Sequence, residues 1–230
     1  KHQLNPITFQ SKNEPNYNDL RMEKNNEAIH SDSKITVIIP AYNAGEGLRV
    51  AVESILNQTW QNIELIIVDD CSTDDTLQIA KEYKEKDERV IVRQTAENSG
   101  PYVARNIALK IASGDFITVN DADDWSHEQK LEIQANHLLE NEHMMANTSA
   151  HARLTEDLYF YRRGTPGRYV FPNMSSIMFR RKPVMEKLGF WDSVRFAADG
   201  EFKRRLLQTF GEQAFMDLPS GPLSLPIRLK

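Results

Sequence analysis

Four short runs of apolar, largely β-branched residues recur between residues 35 and 119, each followed by a polar segment. They occupy residues 35–39 (Ile-Thr-Val-Ile-Ile), 63–68 (Ile-Glu-Leu-Ile-Ile-Val), 90–92 (Val-Ile-Val) and 116–119 (Phe-Ile-Thr-Val). None alternates as a half-exposed strand would, and continuous runs of this length predict strands buried on both faces. Between them the apolar spacing changes to three and four. Leu48, Val52, Ile55 and Leu56 predict a helix over 47–58. Residues 74–86 predict a charged amphipathic helix with Ser72 or Asp74 as N-cap, and residues 102–113 a third helix stopped by Gly114. A fourth is expected over 126–139. Strands and helices alternating at this density predict an α/β fold with a mostly parallel sheet flanked by helices.

The pattern weakens on both sides of this block. Residues 1–33 are polar and rich in Asn, Lys and Glu, which predicts an extension or linker with a short helix around 19–29. After residue 143 the elements are mixed: weak alternation over 158–162, a strand over 174–179 and a helix over 201–208.

Composition narrows the class. The 230 residues are 40% hydrophobic, enough for a sizeable core, and carry a net charge of −5. That balance argues against nucleic-acid binding, which requires a basic face. Cys71 is the only cysteine, so an internal disulfide framework and a cysteine-built zinc site are excluded, and a reducing, cytoplasmic compartment is expected. No apolar run approaches the roughly 18 residues of a membrane span. The chain begins with Lys1 rather than Met, which is expected of a piece of a longer protein.

Polar residues collect after the strands, where open α/β sheets bind ligands. The first run ends in Pro40-Ala41-Tyr42-Asn43, the second in Asp69-Asp70 and the fourth in Asp121-Ala122-Asp123-Asp124. Asp121 and Asp123, two apart past a buried strand, suit a hard divalent cation such as Mg²⁺ or Mn²⁺ that keeps open positions for phosphate oxygens. The bland alternative is a solvated turn, with Asp124 or Ser126 capping the next helix. Asp70 is read as an acceptor for a nucleobase imide, with Tyr42 stacking on the base, against a capping role for Asp70 and simple packing for Tyr42. Gly100 and Pro101 fit a turn into a helix, and Arg105 is placed to pair with strand-end acids or phosphate. Gly45-Glu46-Gly47 half-matches a dinucleotide fingerprint, but Val50 stands at the third small position, so the match is poor.

Transfer to a hydroxyl needs a group to take its proton, and Asp199 is the candidate, with Glu201 as competitor and N-capping as the structural alternative. His127, His137, His143 and His151 have no ligand-like spacing; only His151 is weighed against a metal. Met144, Met145 and Met174 are expected in the core.

Taken in order, Thr36-Val-Ile-Ile-Pro-Ala-Tyr-Asn43, Ser54-Ile-Leu-Asn-Gln-Thr59, Ile66-Ile-Val-Asp-Asp-Cys-Ser-Thr-Asp-Asp75, Asn98-Ser-Gly-Pro101 with Ala104-Arg-Asn106, and Asp121-Ala-Asp-Asp124 resemble the family-2 inverting glycosyltransferases of the GT-A fold. The resemblance is dense from about 34 to 139 and returns at 196–206. It implies a nucleotide-binding half over 34–125 and an acceptor-side half over 126–230, truncated at the C-terminus. It implies a nucleotide-sugar site at Pro40, Ala41, Tyr42, Asn43, Asp70, Gly100, Arg105, Asn106, Asp121 and Ala122, with uracil the usual base. Asp123 would hold the metal and Asp121 would share metal and sugar-diphosphate contacts, with Mn²⁺ or Mg²⁺ as cofactor. Asp199 matches the general base, although the family's Glu-Asp pair reads Ala198-Asp199 here. The partners implied are a nucleotide-sugar donor, UDP-linked, and a glycan acceptor in bacterial cell-surface polysaccharide synthesis. Peripheral association with the inner membrane face, through regions outside the chain, belongs to the same expectation. Two other readings stand beside it. A nucleotidyltransferase would need a glycine-rich basic loop after the first strand. A non-catalytic nucleotide-sugar-binding module would keep the crevice without turnover.

Overall fold

A computed structural model describes residues 4–11, 13–22, 27–161 and 166–228. β1 (Ile7–Phe9) pairs antiparallel with β2 (Leu20–Met22). The buried apolar runs then form β3 (Ile35–Ala41), β4 (Ile63–Asp69), β5 (Val90–Gln94) and β6 (Phe116–Val119). Between them lie α1 (Gly47–Leu56), α2 (Thr76–Lys86) and α3 (Pro101–Ile111). The second half adds β7 (Asp124–Ser126), α4 (Lys130–Glu140), β8 (Ala146–Thr155), β9 (Phe160–Tyr161), β10 (Val170–Pro172), β11 (Met178–Arg180), α5 (Arg181–Lys187), α6 (Ala198–Phe210) and β12 (Phe215–Arg228).

The main sheet runs β5-β4-β3-β6-β11-β8-β12-β7, with β9 and β10 pairing to β8. The first four strands are parallel. The chain moves outward from β3 to β5, then α3 carries it back to β6 on the other side of β3. The carboxyl ends of β3 and β6 therefore form the switch point at which such sheets open a crevice. Both faces are covered, as the continuous apolar runs require. Ile35, Val37 and Ile39 point into one cluster with Leu48, Val52, Ile79 and Leu131, while Ile38 joins Tyr102, Ala108, Trp191 and Phe202 on the opposite face. Gly114, expected to stop a helix, also allows a close crossing. A Cβ there would lie 2.5 Å from the Thr36 nitrogen.

Several expectations change. The helix around 19–29 is not formed: Leu20–Met22 is a strand, and residues 23–26 lie outside the described set. The polar extension is packed down by Tyr17, which is 1% exposed. Its hydroxyl accepts from the Trp125 N–H at 2.9 Å and donates to the Leu225 carbonyl, with the Asp123 carbonyl 3.1 Å away. The fourth helix starts at Lys130 rather than 126, because residues 124–126 pair with β12. Within 174–179 only Met178 and Phe179 are strand; residues 174–176 form a 3₁₀ turn. The two longest strands, β8 and β12, were not anticipated. β8 reads as polar, but Asn147, Thr148 and Ser149 are buried against Gln134, Asp217 and Ser176. β12 contains Pro219, Pro222 and Pro226, and its pairing with β8 shifts register on either side of Pro222. Among the described residues no helix is long and apolar enough to cross a membrane.

Candidate functional site

At the carboxyl ends of β3 and β4 a cavity of about 220 Å³ is walled by Pro40, Ala41, Tyr42 and Asp70 on one side. Asn98, Gly100, Pro101, Arg195 and Phe196 close the other. Tyr42 is half-exposed beside it. Asp70 is buried, with Oδ1 accepting from Thr95 Oγ1 and the Ser99 N–H at 2.9 Å each and Oδ2 from the Gly100 N–H at 2.7 Å. Those bonds fold the 95–100 loop into the wall and take three of the roughly four lone-pair directions a carboxylate offers. Gly100 has φ +93, and a Cβ there would sit 3.3 Å from Arg195 Cγ, so the tight turn and the close approach of Arg195 both need glycine.

The acidic turn follows β6. Asn120 closes it: its Nδ2 donates to the carbonyls of Asp121 and Asp124, each at 3.0 Å, while its Oδ1 accepts from Ser126 Oγ at 2.6 Å and Lys130 Nζ at 3.0 Å. Asp121 and Asp123 are partly exposed, whereas Asp124 is buried in β7 and caps no helix. Burial pushes the Asp123 carboxyl up, and the Asp121 charge adds to it. Asp124 is pushed well up by burial, then by Asp121 and Asp123. Burial brings the Lys130 ammonium down to about 8 despite the Asp124 charge. Two partly exposed carboxylates side by side, one of them costly to ionise beside the other's charge, fit a hard cation sharing its coordination with a ligand. Among the described residues no cluster of three or more His, Cys, Asp or Glu side chains forms a closed metal cage.

Arg105 ties this turn to α6. Only 3% exposed, it donates from Nη1 to Asp199 Oδ1 at 2.6 Å and from Nη2 to Asp121 Oδ1 at 3.2 Å. Burial alone would lower its pKa; Asp199 and then Asp121 outweigh that and leave it raised. The Tyr102 hydroxyl donates to Asp199 Oδ2 at 3.0 Å, and the Tyr102 ring lies 4.9 Å from the guanidinium carbon. The competitor Glu201 turns away, pairing with Arg205 at 2.7 and 2.8 Å. Asp199 is thus the acid of this pair that Arg105 joins to the acidic turn.

Other residues of the expected site hold loops. The Asn106 amide exchanges hydrogen bonds with the Trp191 backbone, at 2.8 and 3.1 Å. Asn43 braces the neighbouring strand end, its Oδ1 accepting from the Thr73 N–H at 2.8 Å. Ala122 is buried in the core. The Ser54–Thr59 motif is a brace as well: Ser54 Oγ accepts from the Ser126 N–H at 3.1 Å, and Gln58 Oε1 from the Leu131 N–H at 3.0 Å. Sequence reasoning missed Phe196, Arg195, Tyr102 and Asn120. Only the spacing of Tyr102 and Arg105, three apart on one helix face, signalled a shared partner. Of the histidines, His127 Nε2 lies 3.0 Å from the Asn5 carbonyl, and His151 lines a second cavity whose walls include none of the acidic turn's carboxylates.

Known proteins bear on this arrangement. An uncharacterized glycosyltransferase of Haemophilus influenzae is 46% identical over 113 residues, covering 49% of this chain and 45% of its own. The putative teichuronic acid biosynthesis glycosyltransferase TuaG of Bacillus subtilis is 44% identical over 106 residues, covering 46% and 42%. The chain thus matches less than half the length of either relative. Among solved structures, S. aureus TarS 1-349 in complex with UDP-GlcNAc superimposes with a TM-score of 0.69 at 22% identity, over 86% of this chain and 59% of that one. Mannosyltransferase PcManGT from Pyrobaculum calidifontis, in complex with GDP-Man and Mn²⁺, gives 0.65 at 16% identity, over 89% and 59%. These likenesses show the GT-A fold. The model of the family described as glycosyl transferase family 2 matches residues 36–199, well over half the chain and spanning the cavity, the acidic turn and Asp199, and the chain belongs to that family.

Proposed function

We propose that the chain carries the donor site and catalytic base of a metal-dependent inverting glycosyltransferase that uses a UDP-sugar and builds bacterial cell-surface polysaccharide. The observation that carries this reading is the Arg105 fork, which joins Asp121 of the diphosphate wall to Asp199. In the proposed division of labour, residues 34–125 supply most of the nucleotide site and residues 126–230 face the acceptor, except that Arg195 and Phe196 of the second half reach back to close the nucleobase cavity. The nucleobase enters the cavity between Tyr42 and Phe196, with Asp70 at its edge. Asp123 and Asp121 hold Mn²⁺ or Mg²⁺, which when bound supplies Lewis-acid neutralisation of the departing diphosphate. Asp199 takes the proton of the acceptor hydroxyl. The resulting oxygen bonds to the anomeric carbon as the bond from that carbon to the diphosphate oxygen breaks, with inversion. Tyr102 and Arg105, with one bond to each oxygen of the Asp199 carboxylate, support this role by fixing its orientation. TuaG and TarS, both of bacteria, support the donor and product class by likeness.

Turnover of UDP-sugars tests the assignment. Asp199→Asn is expected to lower kcat by about 10²–10⁴-fold while UDP affinity is kept, and Glu201→Gln to leave kcat within about threefold. Asp123→Ala is expected to abolish the dependence of UDP affinity on added Mn²⁺. Full activity of Asp199→Asn overturns the base, and metal-independent transfer overturns the cation site.

A further inference from the structure

A second cavity, of about 190 Å³, is lined by His151, Arg153, Tyr161, Tyr169 and Phe171 and shares no residue with the nucleoside cavity. Its walls are set by strand register. His151 stands opposite Phe171 between β8 and β10, and Arg153 opposite Tyr161 between β8 and β9. Directly opposed residues present side chains on one face, and His151 and Arg153, two apart on β8, share that face. Ala152 and Leu154 point the other way, into the cluster around Trp125. The His151 and Phe171 rings lie 6.3 Å apart, and Tyr169 is half-exposed at the mouth.

Two features make this more than an apolar dent. His151 Nδ1 is buried without a hydrogen-bond partner among the described residues, a costly arrangement unless a ligand supplies one. The ring is not without protein contacts, since the Asn173 side chain hydrogen-bonds to it, but burial and then the nearby Arg153 charge outweigh that and hold the His151 pKa down, so the ring is neutral and one nitrogen accepts. Arg153 also lies within electrostatic reach of Asp123 and Asp124. The cavity therefore adjoins the acidic turn. Its volume is close to that of the nucleoside cavity, room for one ring system rather than a whole nucleotide. Aromatic walls with a few fixed polar groups are what a small-molecule site offers. A pyranose has an apolar C–H face to lay on such rings and a hydroxyl rim to reach a buried acceptor.

We propose that this aromatic cavity holds a pyranose ring of the acceptor glycan, with a sugar hydroxyl donating to His151 Nδ1 and the ring face on Phe171 and Tyr169. The proposal rests on the glycosyl-transfer reading above, and it gives that reading an acceptor subsite beside the diphosphate wall.

The test is saturation-transfer NMR of the whole chain with methyl glycosides of glucose, galactose, N-acetylglucosamine and glucuronic acid, recorded without nucleotide. UDP affinity with Mn²⁺ is measured separately by calorimetry. Wild type is expected to bind at least one pyranoside, and Tyr169→Ala and Phe171→Ala to weaken that binding at least fivefold while UDP affinity stays within twofold. Tyr169 is exposed enough for its variant to fold, and unchanged UDP affinity verifies this. Binding by wild type of none of the four overturns the proposal, as does pyranoside binding indifferent to both variants. A parallel loss of UDP affinity overturns it too, by making the cavity part of the donor site. Failure of wild type to bind UDP is a separate result, which overturns the donor reading and not the pyranose subsite.

Discussion

Arg105 donates to Asp199 across 2.6 Å although 94 positions separate them in the chain. The same guanidinium reaches Asp121, so one buried cation sets the distance between the acidic turn and Asp199. Lysine would keep the charge but not the planar fork that serves two carboxylates at once. Arg105→Lys is expected to lower kcat by about 10²-fold, the cost of misplacing a reacting group by about an ångström, with UDP affinity changed much less. Steady-state turnover beside UDP calorimetry separates the two, and an unchanged kcat would remove Arg105 from the positioning role.

Phe196 is 83% exposed although it lines the cavity beside Tyr42 and Asp70. The turn that carries it is held on both sides. Arg195 donates to the Asn98 side chain at 3.0 Å and to its carbonyl at 2.8 Å, and Ala197 adopts φ +66 immediately before α6. A large apolar ring kept in solvent by such a turn fits stacking on a base, worth about 1–3 kcal/mol in alanine substitutions. Phe196→Ala is expected to raise the Kd for UDP by about tenfold, which corresponds to about 1.4 kcal/mol, and Phe196→Tyr to restore most of it. Equal affinity in all three proteins would mean that the ring does not touch the base.

Glu64 tests the frame rather than the site. It is buried at the opposite end of the sheet and accepts from Thr36 Oγ1 at 2.5 Å and from the Ser113 N–H and hydroxyl at 2.5 and 2.8 Å. Burial alone would raise its pKa; these bonds and the Lys34 charge together outweigh it and hold the carboxyl below its ordinary value. A carboxyl with a lowered folded pKa adds stability above its unfolded pKa, near 4.3, and loses it as pH falls through the folded value. Glu64→Gln is therefore expected to cost about 1–3 kcal/mol at pH 7. In urea unfolding the gap to wild type should narrow as pH is lowered below about 4.3. A gap independent of pH would contradict the linkage.

The nucleotide-side frame was legible because its strands are apolar on both faces and its helices keep their period. The acidic turn was legible because carboxylates stood at a strand end. β8 was not legible: its polar residues are satisfied by partners on α4, β12 and the 3₁₀ turn before β11, none of which a local pattern reveals. β12 was hidden by three prolines that only a shifted register accommodates. Glu201 and Asp199 were indistinguishable by type, and what separates them is an i,i+4 arginine for one and a distant buried arginine for the other. Phe196 gave no signal, since an exposed phenylalanine in a loop carries no period.

Tyr17 lies outside the family-matched stretch, which begins at residue 36, yet its hydroxyl bonds the backbone beside the acidic turn. The domain is therefore not portable at its family boundary. A graft of residues 36–199 into another polypeptide would lack both Tyr17 and β12, and would leave the Trp125 N–H to be satisfied by foreign sequence. The turn between β1 and β2 that carries Tyr17, and β12 that carries Leu225, have to travel with it.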